Sequence, residues 1–123
     1  MLLDSNIIIY SAQPENGFLR RLIAESAPAV SAVSYVEVLG YHRLTETERR
    51  YFEAFFTEAQ ALPLSQAVLD EAVRLRQARR IKLGDSLVAG TALLHDLTLV
   101  TRNVDDFVGI DGLRVMNPFA ELP

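Results

Sequence analysis

The chain opens MLLDSNIIIY, Met1 to Tyr10, and the reading of this stretch decides the fold. Seven of its ten residues are hydrophobic, yet Asp4, Ser5 and Asn6 stand in the middle. Burying an ionised carboxylate without a partner is costly, so such a group neutralises or finds one. Residues 1–4 therefore read as a buried strand that carries Asp4 to a sheet edge. Residues 7–9 read as the start of the return into the core.

Outward from this stretch, short apolar runs alternate with longer amphipathic ones. The turn Pro14-Glu15-Asn16-Gly17 leads into a helix over residues 18–26, and a second strand follows at Ala29–Ser31. Ser34 and Glu37 have the spacing of a capping box, which predicts a helix starting at Ser34. Thr45 and Glu48 repeat that spacing and open a helix through residue 59. Residues 61–64 read as a third strand. Ser65 then caps a helix with Val68, Ala72 and Leu75 on one stripe. Residues 82–84 form a break, with Asp85 as a candidate N-cap. The helix that follows is rich in small residues, so that Ala89, Gly90 and Ala92 let it lie close to a sheet. Residues 97–101 and 113–116 read as the fourth and fifth strands. Such alternation argues for an α/β fold with a parallel sheet, in which sites form at the carboxyl ends of the strands.

The length, 123 residues, suits a single domain over 1–123, and 50% hydrophobic residues suffice for one core. No apolar run reaches the roughly 18 residues of a membrane-spanning helix, and no signal-peptide pattern opens the chain. Cysteine is absent, which removes disulfides, thiolate nucleophiles and zinc-thiolate sites. A soluble cytoplasmic protein is the expectation. The net charge of −4 gives no global electrostatic case for nucleic acid. One stretch departs from it: Arg74, Arg76, Arg79, Arg80 and Lys82 follow one another without an acid. This is first of all a solvated helix face, and second a strip for phosphates in which Arg79, Arg80 and Lys82 matter most.

The acids carry the chemistry. Asp4 ends a strand, Glu37 lies in the first turn of a helix, Asp85 opens a helix, and Asn103 follows a strand with Asp105 and Asp106 close behind. A parallel sheet can bring these to one crevice. Close carboxylates repel one another, and a divalent cation removes the repulsion. Oxygen ligands without Cys or His clusters favour Mg²⁺ or Mn²⁺. Such an ion activates water and stabilises charge on a phosphoryl group, the chemistry of phosphodiester hydrolysis. Glu37 and Asp85 can equally be plain helix caps, and Asp106 a surface acid. His42 and His95 are too isolated for a metal pair or an acid–base dyad.

Four pieces of the chain together resemble the PIN domains, and within them the VapC-like toxins of toxin–antitoxin systems. They are LLDSNIIIY, SAVSYVEVLGY, KLGDSLVAGTAL and LVTRNVDDFVGIDGLRVMNPF, in order and at suitable spacing. The resemblance implies a three-layer α/β/α fold around a central parallel sheet of about five strands. It implies a Mg²⁺- or Mn²⁺-dependent ribonuclease in which Asp4, Glu37 and Asp85 are the acidic metal residues. It implies that Asn103 or Asp106 completes the site, and that Ser5, Asn6 and Thr101 are polar neighbours that orient the carboxylates. A cognate antitoxin and a homodimer are the implied partners. The stretch 45–59 places Tyr51, Phe52, Phe55 and Phe56 on two adjoining faces, one for the core and one for such a partner.

Three other readings compete. A haloacid-dehalogenase-like phosphatase wants a second Asp two residues after the first, where this chain has Asn6. A phosphoacceptor signalling domain wants an Asp at the end of a later strand, and residues 61–64 end in none. A PIN domain with weak or lost nuclease activity, acting as an RNA- or partner-binding module, is the remaining alternative, prompted by the neutral Asn103.

Overall fold

The computed structural model describes residues 1–120. Five strands form one sheet: β1 (Leu2–Leu3), β2 (Ala29–Ser31), β3 (Gln60–Leu62), β4 (Leu99–Val100) and β5 (Val115–Met116). Every pairing is parallel and the order is β3-β2-β1-β4-β5. Six α-helices join them: α1 (Ser5–Ser11), α2 (Gly17–Ser26), α3 (Ala32–Leu39), α4 (Glu46–Glu58), α5 (Gln66–Ala78) and α6 (Leu83–Leu94). Short 3₁₀ turns occupy Pro14–Asn16 and Val104–Phe107.

Side chains alternate across the sheet, and the alternation builds three layers. Leu2, Ala29 and Leu99 face α5 and α6, packing with Leu75, Val88, Ala89 and Ala92. Leu3, Val30 and Val100 face the other way, packing with Ile7, Ile8, Leu19, Val38 and Phe52. Both faces are covered, which is why the central strands are continuously apolar. The small residues of α6 permit the close approach they predict. A Cβ on Gly90 would lie 3.2 Å from the Val68 carbonyl oxygen, so α5 and α6 meet backbone to backbone there.

The strands are shorter at β1, β4 and β5 than the apolar runs predict, because the polar ends turn at once into helix or loop. Two predicted caps are corrected. Ser31, at the end of β2, caps α3 by accepting the Val33 amide at 3.2 Å. Ser34 therefore sits inside the helix, and Glu37 in its second turn. The strand end already offers an extended residue with a free hydroxyl, which pre-empts the later serine. Likewise α6 starts at Leu83 with Lys82 before it, so Asp85 is a first-turn acid rather than the cap. There it complements the helix dipole. The Thr45–Glu48 capping box is present, and Ser65 caps α5 through the Val68 amide.

In the aromatic helix α4 the four rings differ in burial. Phe52 is 1% exposed and belongs to the core, and the Tyr51 hydroxyl lies 2.8 Å from Ser11 Oγ. Phe56 is half-buried and packs edge-on against Tyr35 of α3, which is exposed. Tyr51, Phe55 and Phe56 are each half-buried, so three of the four rings keep an edge at the surface, and Phe56 shares its edge with Tyr35.

Candidate active site

The chain leaves β1 toward β2 and β3 on one side, then returns through β4 to the other. This makes the gap between β1 and β4 the topological switch point, where open α/β sheets bind ligands. Asp4 and Thr101 are the residues that directly follow these two strands. Asp4 is 5% exposed and also begins α1, with an extended backbone (φ −68°, ψ 151°). Its Oδ1 accepts the Ser5 amide at 2.9 Å, and its Oδ2 accepts the Thr101 hydroxyl at 2.8 Å. Thr101 Oγ1 in turn accepts the Asn103 amide at 3.1 Å. The run IIIY is thus a helix that Asp4 caps, with Ile7 and Ile8 buried and Ile9 turned to solvent.

Ser5 ties a second acid to the first. Its hydroxyl lies 2.7 Å from Glu37 Oε1 and 2.8 Å from the fully buried Ser34 Oγ. Ser5 carries one hydroxyl proton and an ionised carboxylate can only accept. Ser5 therefore donates to Glu37, and Ser34 donates to Ser5. Ser34 is a contributor that the capping-box reading conceals. The signal for it is the same three-residue spacing, which puts Ser34 and Glu37 on one helix face. Gly84 is a second. A Cβ there would stand 2.6 Å from Glu37 Oε2, so the first turn of α6 closes on this carboxylate only because position 84 has no side chain.

Burial raises the Asp4 carboxyl above its ordinary range; the Thr101 and Ser5 hydrogen bonds oppose this, and the charges of Glu37 and Asp106 add to it. Asp85 is pushed up to about 6, first by burial, then by the charges of Asp4 and Asp106, with Lys82 opposing. These couplings place Asp4, Glu37, Asp85 and Asp106 in one electrostatic cluster. Asn103 precedes the 3₁₀ turn, is exposed, and makes no side-chain hydrogen bond among the described residues. Asn6 is half-buried, again without one. His42 and His95 are exposed.

Among the described residues, no three His, Cys, Asp or Glu side chains stand close enough to enclose a metal ion by themselves. The donors nevertheless suit Mg²⁺ or Mn²⁺: hard carboxylate oxygens, mutually repelling, around a buried and oriented Asp4. Mg²⁺ ordinarily takes one or two carboxylates and keeps several waters.

Beside the cluster, Arg79, Arg80, Lys82, Asp85, Asp105 and Asp106 border a pocket of about 300 Å³. Arg74 is drawn away from the basic strip by Glu71, at 2.8 Å.

A PIN domain family model matches residues 1–113, and the chain belongs to the PIN domain family. It is similar in structure to a chain of a toxin–antitoxin complex from Klebsiella pneumoniae, at 31% identity and a TM-score of 0.73 over 95% of this chain and 96% of that one. It also resembles VapBC2 from Rickettsia felis bound to a promoter DNA fragment, at 21% identity and a TM-score of 0.81 over 94% and 96%. A third likeness is to FitAcB from Neisseria gonorrhoeae, at 22% identity and a TM-score of 0.78 over 96% and 97%. No curated protein sequence matches significantly. No helix among the described residues is long and apolar enough to cross a membrane.

Proposed function

We propose that this protein is a divalent-metal-dependent endoribonuclease, the toxin of a toxin–antitoxin pair working in the cytoplasm. The observation that carries the reading is Asp4. It is a nearly buried carboxylate at the switch point, oriented through both oxygens and surrounded by Glu37, Asp85 and Asp106. PIN domains are in general nucleases, and the Klebsiella pneumoniae relative comes from a toxin–antitoxin complex.

Asp4, Glu37 and Asp85 would hold Mg²⁺ or Mn²⁺, which supplies charge neutralisation and activation of water. The chain's own residues do the rest. Ser5 and Thr101 keep Asp4 in one orientation, Ser34 and Ser5 keep Glu37 beside it, and Gly84 lets α6 approach. Asp106 supplies the charge that Asn103 lacks, since its field reaches both Asp4 and Asp85. In hydrolysis a water oxygen attacks phosphorus, the bond to the 3′-oxygen breaks, and that oxygen gains a proton. An antitoxin or a second copy of the chain would use the Tyr35–Phe56 surface of α3 and α4.

Asp4→Asn is nearly isosteric and keeps an oxygen for the Ser5 amide. It should abolish metal-dependent RNA cleavage while the melting temperature stays within a few degrees of wild type. Undiminished cleavage in this variant, purified free of other nucleases, would refute the proposal. The neutral, exposed Asn103 favours the second reading, a PIN domain that only binds RNA or a partner. That reading gains if the wild type binds RNA but leaves it intact in Mn²⁺.

A further inference from the structure

The pocket beside the acidic cluster is bordered by charges of both signs, Asp85, Asp105 and Asp106 with Arg79, Arg80 and Lys82. At about 300 Å³ it has the volume of roughly ten waters at about 30 Å³ each. Among the described residues none of the three cations is in an ion pair. Arg79 differs from the other two in being held. Its Nη1 donates to the Val108 carbonyl at 2.6 Å, and its Nε is closed off from solvent without a partner. Arg79 thus borders the pocket already fixed in direction, and beyond the bond to Val108 its Nη donors make no hydrogen bond among the described residues. Arg80 and Lys82 are exposed and unanchored.

We infer that this pocket seats one backbone phosphate of the RNA, next to the phosphate that is cleaved, with Arg79 as the fixed donor. The inference rests on the ribonuclease reading and names the group through which the substrate is held. A guanidinium fork suits phosphate geometry, and one fixed beforehand loses less entropy on binding. Arg80 and Lys82 act differently, as screened charges along the approach. The bordering carboxylates keep the seat from being a general anion trap, because an anion there is repelled unless a cation has neutralised them.

The test separates fixed fork from mobile charge. A short fluorescent single-stranded RNA is titrated with the full chain in Ca²⁺, over a series of salt concentrations. Arg79→Lys keeps the charge but loses the fork, and should bind about tenfold more weakly with an unchanged salt slope. The R80Q/K82Q double variant should lower the slope of log K against log salt by about 1.4, at about 0.7 for each phosphate no longer neutralised. Thermal melting verifies that each variant folds. Wild-type affinity in folded R79K overturns the inference. Should R79K not fold, the double variant decides, and an unchanged slope there also overturns it. Cleavage of the same RNA in Mn²⁺ is followed in parallel. Cleavage with affinity unmoved in every variant discards the seat and leaves the nuclease. No cleavage with the Arg79 effect present discards the nuclease and leaves the seat.

Discussion

Thr101 Oγ1 donates to Asp4 Oδ2 at 2.8 Å, joining residues 97 positions apart. The two residues directly follow adjacent parallel strands, since Leu3 of β1 is in register with Val100 of β4. The hydrogen bond is therefore a consequence of sheet order. It lowers the Asp4 pKa against the burial that raises it. Thr101→Val removes this donor, so the acid form of Asp4 persists to higher pH. The acidic limb of the pH–rate profile for RNA cleavage should move upward, and stability should fall by about 1–3 kcal/mol for the bond left unmade in the interior. Thr101→Ser keeps the hydroxyl and should restore both. A pH profile identical in the Val variant and wild type would deny Thr101 this positioning role.

Asp85 makes the metal-free protein sensitive to pH. Its folded pKa, about 6, lies above the unfolded value, so the folded state binds the proton more tightly. The contribution to stability is full below about pH 4, the unfolded value, and is lost as pH rises through about 6. In chelator, this group should lower the melting temperature between about pH 4 and 7, and Asp85→Asn should flatten the curve across that window. Mn²⁺ should reverse the loss at about pH 7 in wild type and much less in the variant, because the ion needs the ionised carboxylate. Scanning fluorimetry across pH, with and without Mn²⁺, measures both effects.

Gly84→Ala separates stability from activity. Alanine favours a helix interior over glycine by about 1 kcal/mol, so α6, in whose first turn position 84 lies, gains up to that amount. The new Cβ would meet Glu37 Oε2 at 2.6 Å, so the carboxylate must shift and disturb the hydrogen bond that its Oε1 accepts from Ser5. RNA cleavage should drop at least tenfold while the melting temperature holds or rises. If the loss acts through Glu37, adding Gly84→Ala to Glu37→Gln should cost little more, a non-additivity that a double-mutant cycle reads directly. Full additivity would place the effect elsewhere.

Much of the fold was legible because local rules and tertiary packing agree. The apolar runs, the Thr45–Glu48 box, the Ser65 cap and the small residues of α6 each point to one element. Where two local signals compete, sequence reading errs. Ser31 and Ser34 both offer a cap, and the strand end decides for Ser31. The four aromatics of α4 lie on two adjoining faces, and packing against the sheet decides that Phe52 is the fully buried one.

By itself the sequence determined that Asp4 ends a buried strand and needs a partner, since an apolar run tolerates a lone carboxylate nowhere else. It determined the acids that could join it, because their residue types suit one kind of cation. Tertiary structure alone decided which groups orient them. Thr101 meets Asp4 through the strand order, Ser34 meets Ser5 across 29 residues, and Gly84 meets Glu37 across two helices. These are distances between segments, and no periodicity along a chain encodes a distance between segments that the sheet has yet to bring together.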